Sequence, residues 1–506
     1  MILLVIQRQK EVTIKNLNRI ILLQPLGKLD QTDGFMRTCN LEPLALEYLQ
    51  SSLELIGIES SLYYGKIDEE LLFNDLSISK PLAVCFSVYT YQYSYCLQLA
   101  KRIKNIFCED EFSPYIIFGG YHSSAMPKEI VEENDIDFVV VGEGEVTLNE
   151  LIIAIKEKSD ISSVKGLWYK NPDHYFTGTR DRIKDFDSLP SPKRHAEILA
   201  STNQYQITYP APLKQKNVAQ VTYSRGCPYS CSFCSAENMW GKGINSVVWR
   251  SPSKVLDEIE MLYYQYGTNL IYFPDLTFNV NTRKVEEICN EFIKRNLPVY
   301  WWGLFRLDKL NNDILHILKE SKCIKMSIGF EAADIDAIKV KGDYIVQQDI
   351  YAKLLHTAND LGLILKAFLI IGFPDDTEDK IKHRKDFMLS IPIDEIRITF
   401  ITPFPGTAIW NEYNQKKILP NSVNFDYFTT ENPIINHKYL SSTQLINLRT
   451  EITQSFYMDD RYIEHVVDKI SKHARLKDSF IEYFLFLEEK GILPKEILSN
   501  KILYLV

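Results

Sequence analysis

Cys227, Cys231 and Cys234 lie in an eight-residue window, CPYSCSFC, with the spacing C-x3-C-x2-C. Thiolates are soft ligands suited to iron-sulfur clusters, and three on one short loop leave one iron of a [4Fe-4S] cube open to a further ligand. An open iron implies chemistry and not electron storage alone. A structural zinc site needs four ligands, usually as two separated pairs, and the histidine nearest in sequence, His195, is more than thirty residues upstream. Phe233 stands just before the last cysteine; by residue type alone it could equally be an ordinary core aromatic.

Other polar residues fall at the ends of apolar runs. Asp275 follows LIYFP, Glu331 closes KMSIGFE, and Ile370 and Gly372 belong to FLIIGFPDDTED. Carboxylates at such places are costly without a partner, so each is either a ligand contact or a helix cap or ion pair, with Arg306 and Arg397 as candidate cations. Gly119 and Gly120 in YIIFGG and Gly142 in FVVVGEGE allow close backbone approach. His122 follows the first pair. Glu143 and Glu145 follow Gly142, where they are either binding residues or helix N-terminal charges.

The elements that must position these residues follow from periodicity. RIILLQP (19 to 25), SSLYYG (60 to 65), AVCFSV (83 to 88), YIIFGG (115 to 120) and FVVVGEGE (138 to 145) are buried strands, and the segments between them carry apolar residues at helical spacing. This is a doubly wound, Rossmann-like parallel sheet over residues 1 to 160. Residues 161 to 205 hold one strand, GLWYK, and a linker, SLPSPKRH. From 206 to 415 repeated strand-helix units give a partial (β/α)6 barrel of the TIM type, entered through VAQVTYSRGC. Ser251 and Pro252 form a helix start. Residues 416 to 506 form a small helical C-terminal domain. Reactive groups in a barrel belong at the carboxyl ends of its strands, where Asp275, Glu331 and TPFPGT (402 to 407) fall.

Composition narrows the class. The chain of 506 residues implies two to four domains, and a net charge of -9 argues against a nucleic-acid groove. The nine cysteines cluster only at the window above, a reducing-compartment pattern. MILLVIQ is too short for a membrane span or signal core, so a cytoplasmic protein is expected.

The cysteine window resembles the signature of radical S-adenosylmethionine (SAM) enzymes, and FGGYHSSAMP with DFVVVGEGEVTLNELI resembles the cobalamin-binding domain that precedes the barrel in one subgroup. The resemblance implies a [4Fe-4S] cluster on Cys227, Cys231 and Cys234, with SAM chelating the open iron and Phe233 near its adenine. It implies Asp275 facing the SAM amine, Glu331 the methionyl or ribose part, and the backbone of Ile370 and Gly372 the adenine. This chain has Leu276 where the family often has a second aspartate. Gly119, Gly120, His122, Gly142 and Glu143 would line the cobalamin. The D-x-H-x-x-G ligand motif is missing, so His122 is either a loop histidine bonding backbone or a substitute cobalt ligand. The implied reaction is methylation of an unactivated carbon in a small-molecule or peptide intermediate of natural-product biosynthesis, with an electron donor such as flavodoxin or ferredoxin. Radical cyclisation or rearrangement without methyl transfer is the alternative, and a cluster-bearing redox sensor is the alternative from another class. A tRNA methylthiotransferase would need a second cysteine set and a basic tail.

Overall fold

The computed structural model describes residues 16–27, 42–107, 112–171, 173–202, 217–331 and 348–494. Cys39, Cys108, MILLVIQ and the expected barrel start at Gln206 lie outside them. The chain forms two compact units, one of residues 1–31 and 45–181, the other of 32–44 and 182–506.

In the first unit the apolar runs form β1 (Asn16–Pro25), β2 (Glu59–Gly65), β3 (Pro81–Ser87), β4 (Tyr115–Gly119) and β5 (Phe138–Val140). These pair in parallel in the order β2-β1-β3-β4-β5. Side chains alternate across a strand, so both faces must be covered for a continuous apolar run to form. Ile21, Leu23, Val84 and Phe86 pack with Leu99 and Ile103 on one face, while Ile20, Leu22, Ala83 and Cys85 pack with Leu46, Leu53 and Leu151 on the other. The sheet does not stop at residue 160. β6 (Leu167–Asn171) and β7 (Asp173–Phe176) add two antiparallel strands, making seven. GLWYK is therefore an integral strand, and the segment expected as linker from 161 belongs to this unit as far as Asp181.

The second unit holds β8 (Val218–Gln220), a short antiparallel pair of β9 (Ser224–Arg225) with β10 (Val248–Trp249), then β11 (Leu270–Phe273), β12 (Tyr300–Phe305), β13 (Cys323–Glu331), β14 (Ile364–Ile371) and β15 (Glu395–Phe400). β8 and β11 to β15 form one six-stranded parallel sheet in sequence order, with helices such as Pro252–Tyr266 and Thr282–Arg295 as crossovers. This is the expected partial barrel. Its open edges are covered: Gln220 on β8 donates its backbone N–H and, at 2.7 Å, its side-chain amide to Glu42, and the N–H of Phe400 on β15 donates to Thr430 O at 2.8 Å. Capped edges remove the unpaired backbone that invites association.

The C-terminal helices Ser442–Met458, Asp460–Lys472 and Lys477–Glu489 share the barrel's core through Phe456, Val466, Phe480 and Phe484. Tyr457 Oη accepts from the N–H of Ile396 at 3.0 Å, and Lys469 Nζ donates to Leu363 O at 2.7 Å. These helices complete the barrel unit, where the helical spacing alone suggested a separate domain. Residues 182–202 likewise belong to this unit.

Candidate active site

The cysteine loop leaves the barrel sheet beyond β8 and is fixed before its first thiol. Asp275, just after β11, accepts from the N–H of Tyr223 at 3.1 Å, from the N–H of Ser224, and from Ser224 Oγ at 2.6 Å. Burial pushes its pKa up to about 6, against the pull of those hydrogen bonds. The resemblance would have this carboxylate face the SAM amine. The carboxylate is only 1% exposed and is turned inward, because three donors of the chain entering the loop converge on it.

Gly226 then makes the turn at φ +99°, and a Cβ there would sit 1.8 Å from Ser246 O, so no side chain fits. Ser246 Oγ donates to Cys227 O at 2.8 Å. Cys227 Sγ lies 3.8 Å from Thr277 Oγ1, and the N–H of Cys234 donates to Cys231 O at 3.0 Å. The TPFPGT segment and the helix after it reach this region: Ile409 N–H donates to Ser232 O at 3.0 Å, and Asn238 Nδ2, just past the loop, donates to Pro405 O at 3.1 Å.

All three thiols are half-buried. Burial pushes the Cys231 thiol up to about 12, the charges of Cys234 and Cys227 adding to it and Arg306 opposing it. Burial raises Cys234 as well. Mutually repelling thiolates in a partly desolvated loop need cationic compensation, which iron supplies. Among the described residues no three His, Cys, Asp or Glu side chains converge on a single-ion centre. A cube, which takes each thiolate on a different iron, fits that spacing better than a lone zinc ion.

Around the loop stand the ends of β12 to β14. Arg306 follows β12, its guanidinium carbon 3.7 Å from the centroid of the Tyr229 ring and its Nε donating to Asp308 Oδ1 at 2.9 Å. Glu331 ends β13 at φ +52°, beyond a register shift, a backbone state rare outside glycine and one that clusters at functional sites. Burial pushes its pKa up to about 7, with Arg306 pulling it down. Its charge is felt by Cys231 and Cys234. Phe233 and Ile370 both pack against the buried cluster that holds Phe373 and Ile409. Gly372, at φ +81°, donates its N–H to Asp376 Oδ2 at 2.8 Å. Thr402 bonds its own chain at Phe400 O, and Thr407 caps the helix Ala408–Gln415. Arg397 pairs with Glu431 at 2.6 Å.

The carboxyl ends of the first unit's strands form a second candidate site. The order β2-β1-β3 reverses direction at β1 and β3, where open sheets of this kind bind ligands. Gly120 has φ +95°, and a Cβ there would lie 2.9 Å from Val88 N; Gly142, at φ +79°, donates its N–H to Ser124 Oγ at 2.9 Å. Gly119 ends β4. Glu143 is the N-cap of the helix Gly144–Glu157 without a side-chain cap bond, and Glu145 is buried in its first turn, where the dipole favours a negative charge. His122 has the surroundings of a loop histidine, the first of its two expected readings. It lies in the short helix Tyr121–Ala125, 1% exposed, its Nδ1 3.3 Å from Thr90 Oγ1 and its ring 4.5 Å from that of Tyr93. Burial holds it neutral by pushing its pKa down to about 3. An interior imidazole of this kind steadies the loop after β3.

Comparison with known proteins bears on both sites. The B12 binding domain family matches residues 38–152 and the Radical SAM superfamily residues 221–388. An uncharacterized methyltransferase of Pyrococcus horikoshii is 30% identical over 433 residues, which are 82% of this chain and 88% of that protein. The chain belongs to the cobalamin-dependent radical SAM methyltransferase family. This radical SAM enzyme is also 24% identical to the anaerobic magnesium-protoporphyrin IX monomethyl ester cyclase of Rubrivivax gelatinosus, over 88% of this chain and 79% of that one. Its fold is that of the radical SAM methyltransferase TsrM from Kitasatospora setae, solved with cobalamin and a [4Fe-4S] cluster, at a TM-score of 0.61 and 18% identity over 79% of this chain and 78% of that one. Its cofactors are a [4Fe-4S] cluster, SAM and cobalamin.

Several residues that shape the enzyme's sites escaped sequence reasoning. Asp376 and Arg384 form a buried bidentate pair at 2.9 and 2.6 Å that also holds the N–H groups of Gly372 and Phe373. At the cobalamin-domain strand ends Tyr89 stacks between Tyr91 and Tyr121, with ring centroids 6.2 and 5.6 Å away. The tyrosine-rich run VYTYQYSY was the signal for the second. Nothing in DDTED marks which aspartate turns inward.

Proposed function

We propose that this radical SAM enzyme methylates an unactivated carbon of a small-molecule or peptide substrate, with Cys227, Cys231 and Cys234 holding the cluster. The observation that carries this reading is the pairing, in one chain, of a thiol loop beside the carboxyl ends of a half-barrel with a B12 binding domain. When bound, the cluster and SAM supply a radical able to take hydrogen from an inert carbon, and cobalamin supplies methyl relay. The chain's own part is positional. Asp275, Gly226 and Ser246 fix the loop, Phe233, Ile370 and Phe373 offer an apolar wall for the adenine, and Glu331 presents a carboxylate to the amine or ribose of SAM. Gly120 and Gly142 bring backbone close to the cobalamin. A low-potential electron donor of the flavodoxin or ferredoxin kind and a reducing, cytoplasmic setting complete the reading. Among the described residues no helix is long and apolar enough to cross a membrane.

Supplying methyl-labelled SAM to the reconstituted enzyme with a small-molecule extract tests it. The expected product carries the label on carbon. The cyclase relative motivates one second reading, ring closure without methyl transfer, for which the product would lose hydrogen and carry no label.

A further inference from the structure

We infer that Arg306 is a positioning residue of the cluster loop whose guanidinium, seated on Tyr229, makes the cluster easier to reduce. The inference rests on the reading of Cys227, Cys231 and Cys234 as the ligands. Tyr229 lies between the first two of them, so whatever fixes its ring fixes the loop. The guanidinium carbon is 3.7 Å from its centroid, a close cation–π contact. Arg306 is in turn held rigidly. The buried Asn279 accepts its backbone N–H at 2.9 Å and donates to its carbonyl at 2.8 Å, so the residue is held through the peptides on both sides of its Cα. Nε is tied to Asp308 at 2.9 Å, and the side chain is only 14% exposed.

A planar cation clamped this way delivers its charge to one place. That place is the thiol loop, because the Tyr229 ring beneath the guanidinium belongs to the segment between Cys227 and Cys231. A cluster carried by three thiolates is anionic before it takes an electron. When a low-potential donor passes it one electron, the cluster gains one further negative charge and no proton or bond is exchanged. A nearby buried cation stabilises the reduced form more than the oxidised one, and cluster potentials respond to such local charge. Asp308 sets the opposite limit by neutralising part of the guanidinium. The arrangement tunes the potential through a residue that ligates nothing.

The test is an EPR-monitored redox titration of the full-length enzyme, anaerobically reconstituted, with iron and acid-labile sulfide counted per chain. Arg306→Gln is expected to hold wild-type iron while the reduced-to-oxidised ratio at fixed poise falls about tenfold, which is 59 mV for a one-electron couple. Arg306→Lys, keeping charge without the flat face, should fall between. Asp308→Asn should move the ratio the other way, and it decides the matter should Arg306→Gln lose its iron. A wild-type midpoint in Arg306→Gln, an Arg306→Lys indistinguishable from it, or an unmoved Asp308→Asn would each overturn the inference. Failure of the ligand reading looks different: Cys231→Ala would keep a wild-type cluster signal.

Discussion

Glu331 is the residue whose chemistry can be read most directly. Its carboxyl is pushed up to about 7 by burial and held at a strained φ of +52°. The folded pKa exceeds the ordinary glutamate value of 4.5, so this group's stability contribution is present below that value and lost as pH rises through about 7. The enzyme carries that cost at working pH to keep a carboxylate near the cluster loop. An ionised Glu331 is what would accept hydrogen bonds from the amine or ribose of SAM, so SAM affinity should rise about tenfold between one unit below and one unit above that pKa. Glu331→Gln should be weaker and flat with pH. Isothermal titration with SAM across this range checks it; a wild-type affinity that is flat with pH would place the carboxylate elsewhere in the reaction.

Among the elements, the cluster loop is the one most dependent on a single backbone state. Gly226→Ala would drive a methyl group into Ser246 O at a left-handed φ, so the β9 to β10 turn must open. The expected outcome is iron content below half of wild type after reconstitution with unchanged far-ultraviolet circular dichroism, because the strain is local. Wild-type iron in this variant would show that the loop tolerates another path. This level was largely legible in the sequence. Runs such as RIILLQP and KMSIGFE announced buried parallel strands because both faces are covered, and the cysteine spacing announced the loop. β6 and β7 were harder, since an antiparallel pair at a sheet edge carries a weak alternation beside a Pro-rich stretch. The inward turns of Asp275 and His122 were not legible. A strand-end aspartate reads the same whether it faces a ligand or its neighbours' N–H groups, and only the return of Tyr223 and Ser224 beneath β11 decides it.

At the scale of the whole molecule, the C-terminal helices bind the half-barrel through buried charge as well as apolar packing. Lys469 and Asp394 are both fully buried, paired with each other, and Asp394 also takes His465 at 2.9 Å and the N–H of Leu365 at 2.7 Å. Removing one partner of such a pair leaves an uncompensated buried charge. Lys469→Ala should therefore cost about 3–5 kcal/mol in anaerobic denaturation, and the double variant with Asp394→Asn less than the sum of the two. A cost below about 1 kcal/mol would show that the buried charge pair does not help hold the C-terminal helices to the barrel unit.

The central claim is that cluster and cobalamin serve one methyl-transferring enzyme. The most direct measurement is the amount of 5'-deoxyadenosine and S-adenosylhomocysteine released anaerobically by protein loaded with both cofactors and given SAM and a low-potential reductant. The wild type should release both products, and 5'-deoxyadenosine alone when cobalamin is withheld, while Cys231→Ala should release no 5'-deoxyadenosine. Cobalamin-loaded wild type that forms 5'-deoxyadenosine with no S-adenosylhomocysteine, or forms neither, would contradict it.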